Sequence, residues 1–504
     1  MPATKSGKNQ RPWRKFFFRL ALVFLLLAIL VARPILHLAR TAWNDRNDIH
    51  PIPSGKTDDA SRLNETPVVA VWKVPDDEQA AEAQLAQLLQ FASTNHLKIS
   101  IAGARHSMGG HTIYPDGIVI DMLPFNHMSL DEARNILHVQ AGAIWHDVIK
   151  FLNAHGRSVA VMQSNDDFSI GGSLSVNCHG WQFGRPPIDC TVESFRLMLA
   201  NGKIVKCSRT ENSQLFSLVL GGYGLFGIIL DADLQVVPNE KYKIERISVP
   251  TADYVKVLQQ KTSGATDVAM VYGRLRVTSQ NFLQEAILNV FHRVPSTDFL
   301  VSPLGEPKDR ELQRLIFRGG VNSEYGKELR WDAEKYFSSV LSGSIFERNA
   351  ILYEPSDWFS DHSTNTTDIL VECFVPPAQF APFVDDLRKI IPAGHVDLLN
   401  VTIRDVNEDH DAFLRYADKN MISLVMLFSQ ERSTAGEKNM AALTQAMVAA
   451  ALQHGGSYYL PYRLHATPEQ FAAAYPQAKQ FFALKRQYDL DELFQNEFYL
   501  KYGK

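Results

Sequence analysis

Cysteine is scarce in this chain: four among 504 residues, at positions 178, 190, 207 and 373. They are too few and too widely spaced for a disulfide scaffold or a zinc cluster, so buried thiols and no metal are expected. An excess of either charge is also missing. Fifty-one Lys and Arg against 55 Asp and Glu give a net charge of -4, which offers nothing to attract nucleic acid. There is no internal repeat and no low-complexity tract. Neither G-x-x-x-x-G-K-[ST] nor a strand–GxGxxG–helix unit occurs, which sets aside a P-loop and a Rossmann site. What is present is ordinary globular text, 45% hydrophobic and 21% charged. Its length suggests two to four domains.

One long apolar run stands out, Leu20–Ala32, behind a basic leader carrying Lys5, Lys8, Arg11, Arg14 and Lys15. With Phe16–Phe18 and Pro34–Ala39 the run reaches the roughly 20 residues of a spanning helix. Arg19 and Arg33 are placed to snorkel at its ends. No A-x-A cleavage site follows, so the expectation is an uncleaved single-pass anchor over residues 1–40. The basic leader keeps the N-terminus cytoplasmic and the body on the non-cytoplasmic side. Peripheral attachment at the cytoplasmic face is the alternative. Residues 41–66, rich in Pro, Gly, Ser and charge, read as a linker.

From residue 67 short apolar strands alternate with helices, which predicts an α+β body. "DDEQAAEAQLAQLLQFASTNHL" places Leu85, Leu88, Leu89 and Ala92 at helical spacing behind an acidic first turn. "AIWHDVIKFLNAHG" reads as a second helix with Ile144, Val148 and Phe151 on one face, stopped by Gly156. Glycine turns crowd residues 67–240, thin out over 241–455, and give way to aromatic and basic text over 456–504. These are taken as successive units.

Three glycine turns, at 103–110, 171–180 and 221–227, lie within about 125 residues. Glycine permits positive φ and close approach of backbone N–H groups to phosphate. Three such turns between strands point to an extended dinucleotide held by backbone.

The turns "GARHSMGG", "IGGSLSVNCHG" and "GGYGLFGII", in that order, resemble the flavin-binding domain of FAD-linked oxidoreductases of the vanillyl-alcohol oxidase (PCMH) type. Sugar-alcohol and lactone oxidases and cytokinin dehydrogenases are among them. The closing "KRQYDLDELFQNEF" is similar to that family's terminal segment. The resemblance implies a two-part FAD domain, residues 67–240 completed by 456–504, with a substrate (cap) domain at 241–455. It implies that Gly103, Ala104, Arg105, His106, Ser107 and Met108 contact FAD. It extends this role to Gly171, Gly172, Ser173, Ser175, Asn177, His179, Gly180, Gly227 and Ile228. In many members the histidine of the first turn is bonded covalently to the flavin 8α carbon. His106 matches it, with His111 as competitor and Arg105 standing where many members have Gly. Some members add a cysteinyl bond. Here "VMQSNDDFSIGG" has no cysteine, Ser164 lies near the expected place, and Cys178 is expected merely to pack.

The family's chemistry needs a group to take a hydroxyl proton and a cation to stabilise reduced flavin. "LVECFVP" puts Glu372 and Phe374 on one strand face, and "NVTIRDV" offers Arg404. "YYLPYRLHAT" offers Tyr462, Arg463 and His465. Tyr462 and His465 are the proton-transfer candidates; Arg404, Arg463 and Lys501 the charge-stabilising ones. The alternative for Glu372 and Arg404 is a structural ion pair. The implied activity is hydride transfer from a CH–OH donor to FAD, with oxygen, a quinone or a carrier protein as electron acceptor. A C=C reductase with non-covalent flavin is the runner-up. A scaffold that has lost its flavin is the third reading.

Overall fold

The computed structural model describes residues 11–45, 51–295, 302–305 and 310–504, so Lys5 and Lys8 of the basic leader lie outside the described residues. Arg11–Asn44 forms one helix with Pro34 inside it. The expected spanning helix is not supported, because among the described residues no helix is long and apolar enough to cross a membrane. The stretch counted toward the span after Ala32 is instead docked on the body. His37 Nε2 donates to Gly319 O at 2.9 Å, and Arg33 lies 4.0 Å from the Tyr325 ring centroid. Asp45 pairs with Arg314 at 2.5 Å. That leaves Phe16–Ala32, interrupted by Arg19 and short of the roughly 20 apolar residues a span needs.

The body is α+β. Ala70–Lys73, Ile118–Asp121 and Ile99–Ala102 form a parallel three-stranded sheet in that order. Helix Glu78–Thr94 crosses between two of them, capped by Asp77, which accepts from Ala80 N at 2.8 Å. It buries Ala81, Leu85, Leu89 and Ala92, one helical stripe, with Leu88 at its margin. Helix Trp145–Ala154 buries Trp145, Val148, Ile149 and Leu152. The expected face is turned by one residue, because Ile144 is the cap rather than a face residue.

The closing segment returns to this unit. Ile99 N donates to Leu493 O at 2.8 Å and Gln495 N to Ile99 O at 2.9 Å, which adds Phe494 as a further row of the parallel sheet. Asn496 Nδ2 ties His111 O and Tyr223 O together at 2.9 Å each. A second, antiparallel sheet runs Ile204–Ser208, Val192–Met198, Ile228–Pro238, Ile136–Gln140, Met128–Asp131, with Arg157–Val159 also on Ile228–Pro238.

The cap is one antiparallel sheet of eight strands. Its centre is a duplication that the sequence does not display. Lys241–Pro250, helix Tyr254–Thr262, Val268–Leu275 and Glu285–Arg293 form a β-α-β-β half. Thr366–Val375, helix Phe380–Ala393, Asp397–Val406 and Met421–Glu431 form another. The halves join where Val268–Leu275 pairs with Asp397–Val406, with Arg274 opposite Thr402. Ser457–Tyr458 then pairs with Thr366–Val375 and leads the chain back to the first unit.

Part of the stretch read as a linker is built into the fold. Asp58, Asp59 and Ser61 are buried. Ala60 N bonds Arg105 O and Ser107 O, at 3.1 and 3.2 Å, and Asp59 Oδ2 accepts Gly110 N at 2.7 Å. The segment is a strap beneath the first glycine turn, and its carboxylate satisfies a turn N–H that would otherwise be unpaired.

Candidate functional site

A continuous cleft lies between the glycine turns and the cap sheet. It holds about 2260 Å³ of empty space, open mouth included. The cavity proper, about 480 Å³, lies within the roughly 300–1,000 Å³ of a small-molecule or cofactor pocket.

The first turn supplies Gly103 to Ser107. A Cβ on Gly103 would stand 1.9 Å from Ser169 Oγ, so only glycine lets this turn approach the next. Arg105 adopts φ 58°, the left-handed conformation that glycine usually takes, with its guanidinium 3.6 Å from Asp121. This explains how an arginine occupies the place where glycine was expected. His106 stacks on Phe168 with ring centroids 4.1 Å apart, and its Nε2 donates to Asp167 O at 3.1 Å. In that tautomer Nδ1 carries the lone pair and is the nucleophilic nitrogen. Ser107 Oγ is buried without a partner.

From the second turn Gly171, Gly172, Ser175 and His179 line the cleft, and from the third Gly227 does. Several expected contacts lie elsewhere. Ser173 is buried, taking a bond from Trp145 Nε1 and giving one to Gln163 Oε1, both at 2.9 Å. Asn177 donates to Asp189 and Asp409 at 3.0 and 2.9 Å, linking the second turn to the cap. Gly180 packs on the backbone, where a Cβ would meet Met162 O at 2.0 Å. Met108 N donates to Pro461 O at 2.8 Å and its side chain turns to Leu370. Ile228 points into the core, and its strand neighbour Ile229 faces the cleft instead.

The cap and the closing segment bring Arg404 and Tyr462 to the cleft wall, with Glu372 directly behind them. Glu372 accepts from Ser423 Oγ at 2.6 Å and from Tyr462 Oη at 3.3 Å. His179 Nε2 lies 2.8 Å from its other side, a close contact without hydrogen-bond alignment. Arg404 donates to His179 O at 3.1 Å and to Ser164 Oγ at 2.6 Å. Burial pushes the Glu372 carboxyl up, but His179 and Arg404 outweigh it and hold it below the usual carboxylate range. Burial lowers His179 and raises Tyr462 well above a free phenol. At neutral pH the set is therefore an ionised carboxylate, a neutral imidazole and a protonated phenol.

Arg463, His465 and Lys501 do not face the cleft. Arg463 donates to Asn64 Oδ1 at 2.7 Å and Met108 O at 3.0 Å, and ties Glu437. His465 is held by Thr444 at 3.1 Å and Glu437 at 2.9 Å. Lys501 donates to Leu464 O. Of this run Tyr459, Pro461 and Tyr462 line the cleft, and Arg463 and His465 turn away from it. His111, the competitor to His106, also lines the cleft, but burial drives its imidazole down to about 3. Cys178 is a buried thiol pushed up to about 12 by burial, which fits packing and not reactivity.

The sequence reading missed the far wall: Trp181, Arg274, Arg330, Glu354 and Trp358. Arg274 and Arg404 were open to strand parity, because both sit at the seam of the duplicated cap. Glu354 comes from irregular chain and Trp358 from a four-residue 3-10 helix, too short for a periodic signal.

The residues present fit FAD. Backbone turns approach one another where only glycine fits, a nucleophilic imidazole and a buried unpartnered hydroxyl sit on the first turn, and all of them line one cleft of cofactor-pocket size. Comparison with known proteins returns the same class. Residues 79–208 match the family model of the FAD binding domain, so the chain carries that domain. The family the glycine turns resemble, the FAD-linked oxidoreductases, is the one its relatives come from. Cytokinin dehydrogenase 2 of Arabidopsis thaliana is 26% identical over 230 residues, 45% of each chain. An uncharacterized oxidoreductase, ORF5 in the fasciation locus of Rhodococcoides fascians, is 25% identical over 63% of this chain and 67% of its own. L-gulonolactone oxidase of Mus musculus is 26% identical over 31% of this chain and 36% of its own. The matches thus span less than half of the Arabidopsis protein and about a third of the mouse one.

Proposed function

We propose that this chain is an FAD-dependent oxidase or dehydrogenase that removes a hydride from a carbon bearing a hydroxyl group, with its flavin tethered to His106. The observation that carries the reading is Tyr462 on the cleft wall, hydrogen-bonded to Glu372 behind it, with His179 of the second glycine turn against the same carboxylate and Arg404 alongside. FAD bound here supplies the hydride acceptor. Tyr462, protonated and hydrogen-bonded to an ionised Glu372, takes the substrate's hydroxyl proton as it passes its own to the carboxylate. His179 packs against the same carboxylate, with its Nε2 2.8 Å away, and helps to hold it in place behind Tyr462. Arg404 is fixed by two hydrogen bonds and offers a permanent cation to the charge that builds up on reduction. The mouse relative, named a lactone oxidase, supports oxygen-bearing donors for this chain.

Oxygen, a quinone or a carrier protein takes the electrons onward. We further propose that helix Arg11–Asn44 associates with a membrane surface. It exposes Trp13, Phe16, Phe17, Phe18, Leu22 and Leu25 beside the cations Lys15 and Arg19. Lying along the surface suits a helix whose C-terminal turns are docked on the body.

The test is anaerobic mixing of the purified yellow protein with a panel of alcohols, hydroxy acids and lactols, and separately with NADPH. Bleaching of the flavin by a hydroxylated donor is the expected result. Bleaching by NADPH alone overturns the reading in favour of a C=C reductase.

A further inference from the structure

The far wall of the cleft carries groups that the hydride chemistry does not use. Arg330, on helix Glu324–Leu341, donates one N–H to Leu399 O and rests 4.7 Å from the Phe317 ring centroid. Its Nη1 is buried without a hydrogen-bond partner. No carboxylate lies within ion-pair distance of it among the described residues, whereas Arg274 has Glu334 at 3.9 Å. The indole N–H groups of Trp181 and Trp358 are buried and unpartnered as well. Trp181 is fixed by stacking on Tyr272, with centroids 4.4 Å apart. Burial pushes the Glu354 carboxyl up to about 7, with Arg274 opposing it, so this acid is substantially protonated near neutrality and adds a donor. Burial also pushes the Arg330 guanidinium down to about 10.

An unsatisfied buried N–H costs about 1–3 kcal/mol, and native structures keep few of them. Three on residues that line the same cleft, one of them a cation with no carboxylate in ion-pair contact, form a site short of acceptors. A neutral hydroxyl compensates one donor and no charge. A carboxylate or phosphate compensates several donors and the guanidinium together.

We propose that the cap end of the cleft is an anion subsite, in which Arg330 and the Trp181 and Trp358 N–H groups grip a carboxylate or phosphate at the substrate end remote from the oxidised carbon. This rests on the oxidoreductase reading and narrows its substrate to an anionic hydroxy compound.

The experiment titrates the flavin-loaded protein with benzoate, phenyl phosphate and neutral benzyl alcohol, read by perturbation of the flavin absorbance and, independently, by thermal shift. The anionic probes bind about tenfold or more tighter than benzyl alcohol, the size of one to two charge-assisted hydrogen bonds. Arg330→Gln erases that advantage and keeps the flavin; Trp358→Phe reduces it less. A preference for phenyl phosphate over benzoate identifies a phosphate substrate, and the reverse a carboxylate. Equal affinity for charged and neutral probes, or an anion preference unchanged in a folded Arg330→Gln protein, overturns the subsite. A colourless protein that still shows the anion-dependent thermal shift overturns the oxidoreductase reading and leaves the anion site standing.

Discussion

The two walls of the cleft recognise by different means. The glycine-turn wall brings backbone close at Gly103, Gly171, Gly172 and Gly227, between side chains such as His106, Ser107, Ser175 and His179. The cap wall is built from side chains rooted on paired strands: Arg274, Asn400, Thr402 and Arg404, backed by Glu372. A backbone wall suits a ligand that is the same in every turnover. A side-chain wall is where one substrate is told from another and where protons move. The cofactor side should therefore be sensitive to added atoms, and the cap side to removed charge.

The largest expected effect falls on the cap side. Glu372→Gln removes the ionised acceptor behind Tyr462 and should slow flavin reduction by roughly 10²–10⁴-fold in stopped flow. His465→Asn, a few residues from Tyr462 in the chain but turned away from the cleft, should leave that rate near wild type. If both variants are equally slow, the contrast between the walls fails.

The cofactor side is tested by addition. Gly103→Ala brings a methyl group onto Ser169 Oγ and should cost about 1–3 kcal/mol of stability together with flavin occupancy. Ser169→Ala in the same chain should restore part of both, measured by urea midpoint and the ratio of flavin to protein absorbance.

A third effect concerns the junction between the walls. Burial pushes the Glu437 carboxyl up, but the hydrogen bond from His465 and the charge of Arg463 outweigh it and hold it at about 2. A depressed carboxyl contributes stability above its ordinary value of 4.5 and loses it as pH falls through the folded value. The urea midpoint should therefore fall between pH 4.5 and about 2, and Glu437→Gln should flatten that limb.

The smallest effect is expected at Arg105. Replacement by glycine relieves a left-handed backbone worth about 1 kcal/mol and loses an ion pair worth about 0–1 kcal/mol. The stability of Arg105→Gly should stay within about 1 kcal/mol of wild type, read from the same midpoints.

The same division explains what was readable in the amino-acid sequence. Each glycine turn is contiguous in the chain, so its composition announces it, and the cofactor class followed from three of them in order. The cap site is assembled from residues 179, 274, 330, 354, 372, 404 and 462, which share no local pattern. Ile228 was expected at the cleft and Ile229 is found there. The strand Ile228–Pro238 alternates, with Ile228, Leu230, Ala232, Leu234 and Val236 on the core face and Ile229, Asp231, Asp233 and Gln235 on the other, so its parity was readable and the resemblance alone had put Ile228 at the cleft. Arg463 and His465 were drawn in by their closeness to Tyr462, but both turn to Glu437 instead of the cleft. The halves of the cap share a topology without a recognisable repeat in sequence, because strand pairing needs only a pattern of burial. The apolar N-terminal run looked long enough to span a membrane only while Pro34–Ala39 was counted in, and His37 shows that stretch bound to the cap.

The account depends most on the first turn, where one imidazole beside a backbone cradle is read as the flavin's tether. Acid denaturation of the purified protein, followed by separation of chain from small molecules, tests it directly. Flavin fluorescence is predicted to stay with the wild-type polypeptide and to be released from His106→Ala. Release from the wild-type chain would contradict the tether.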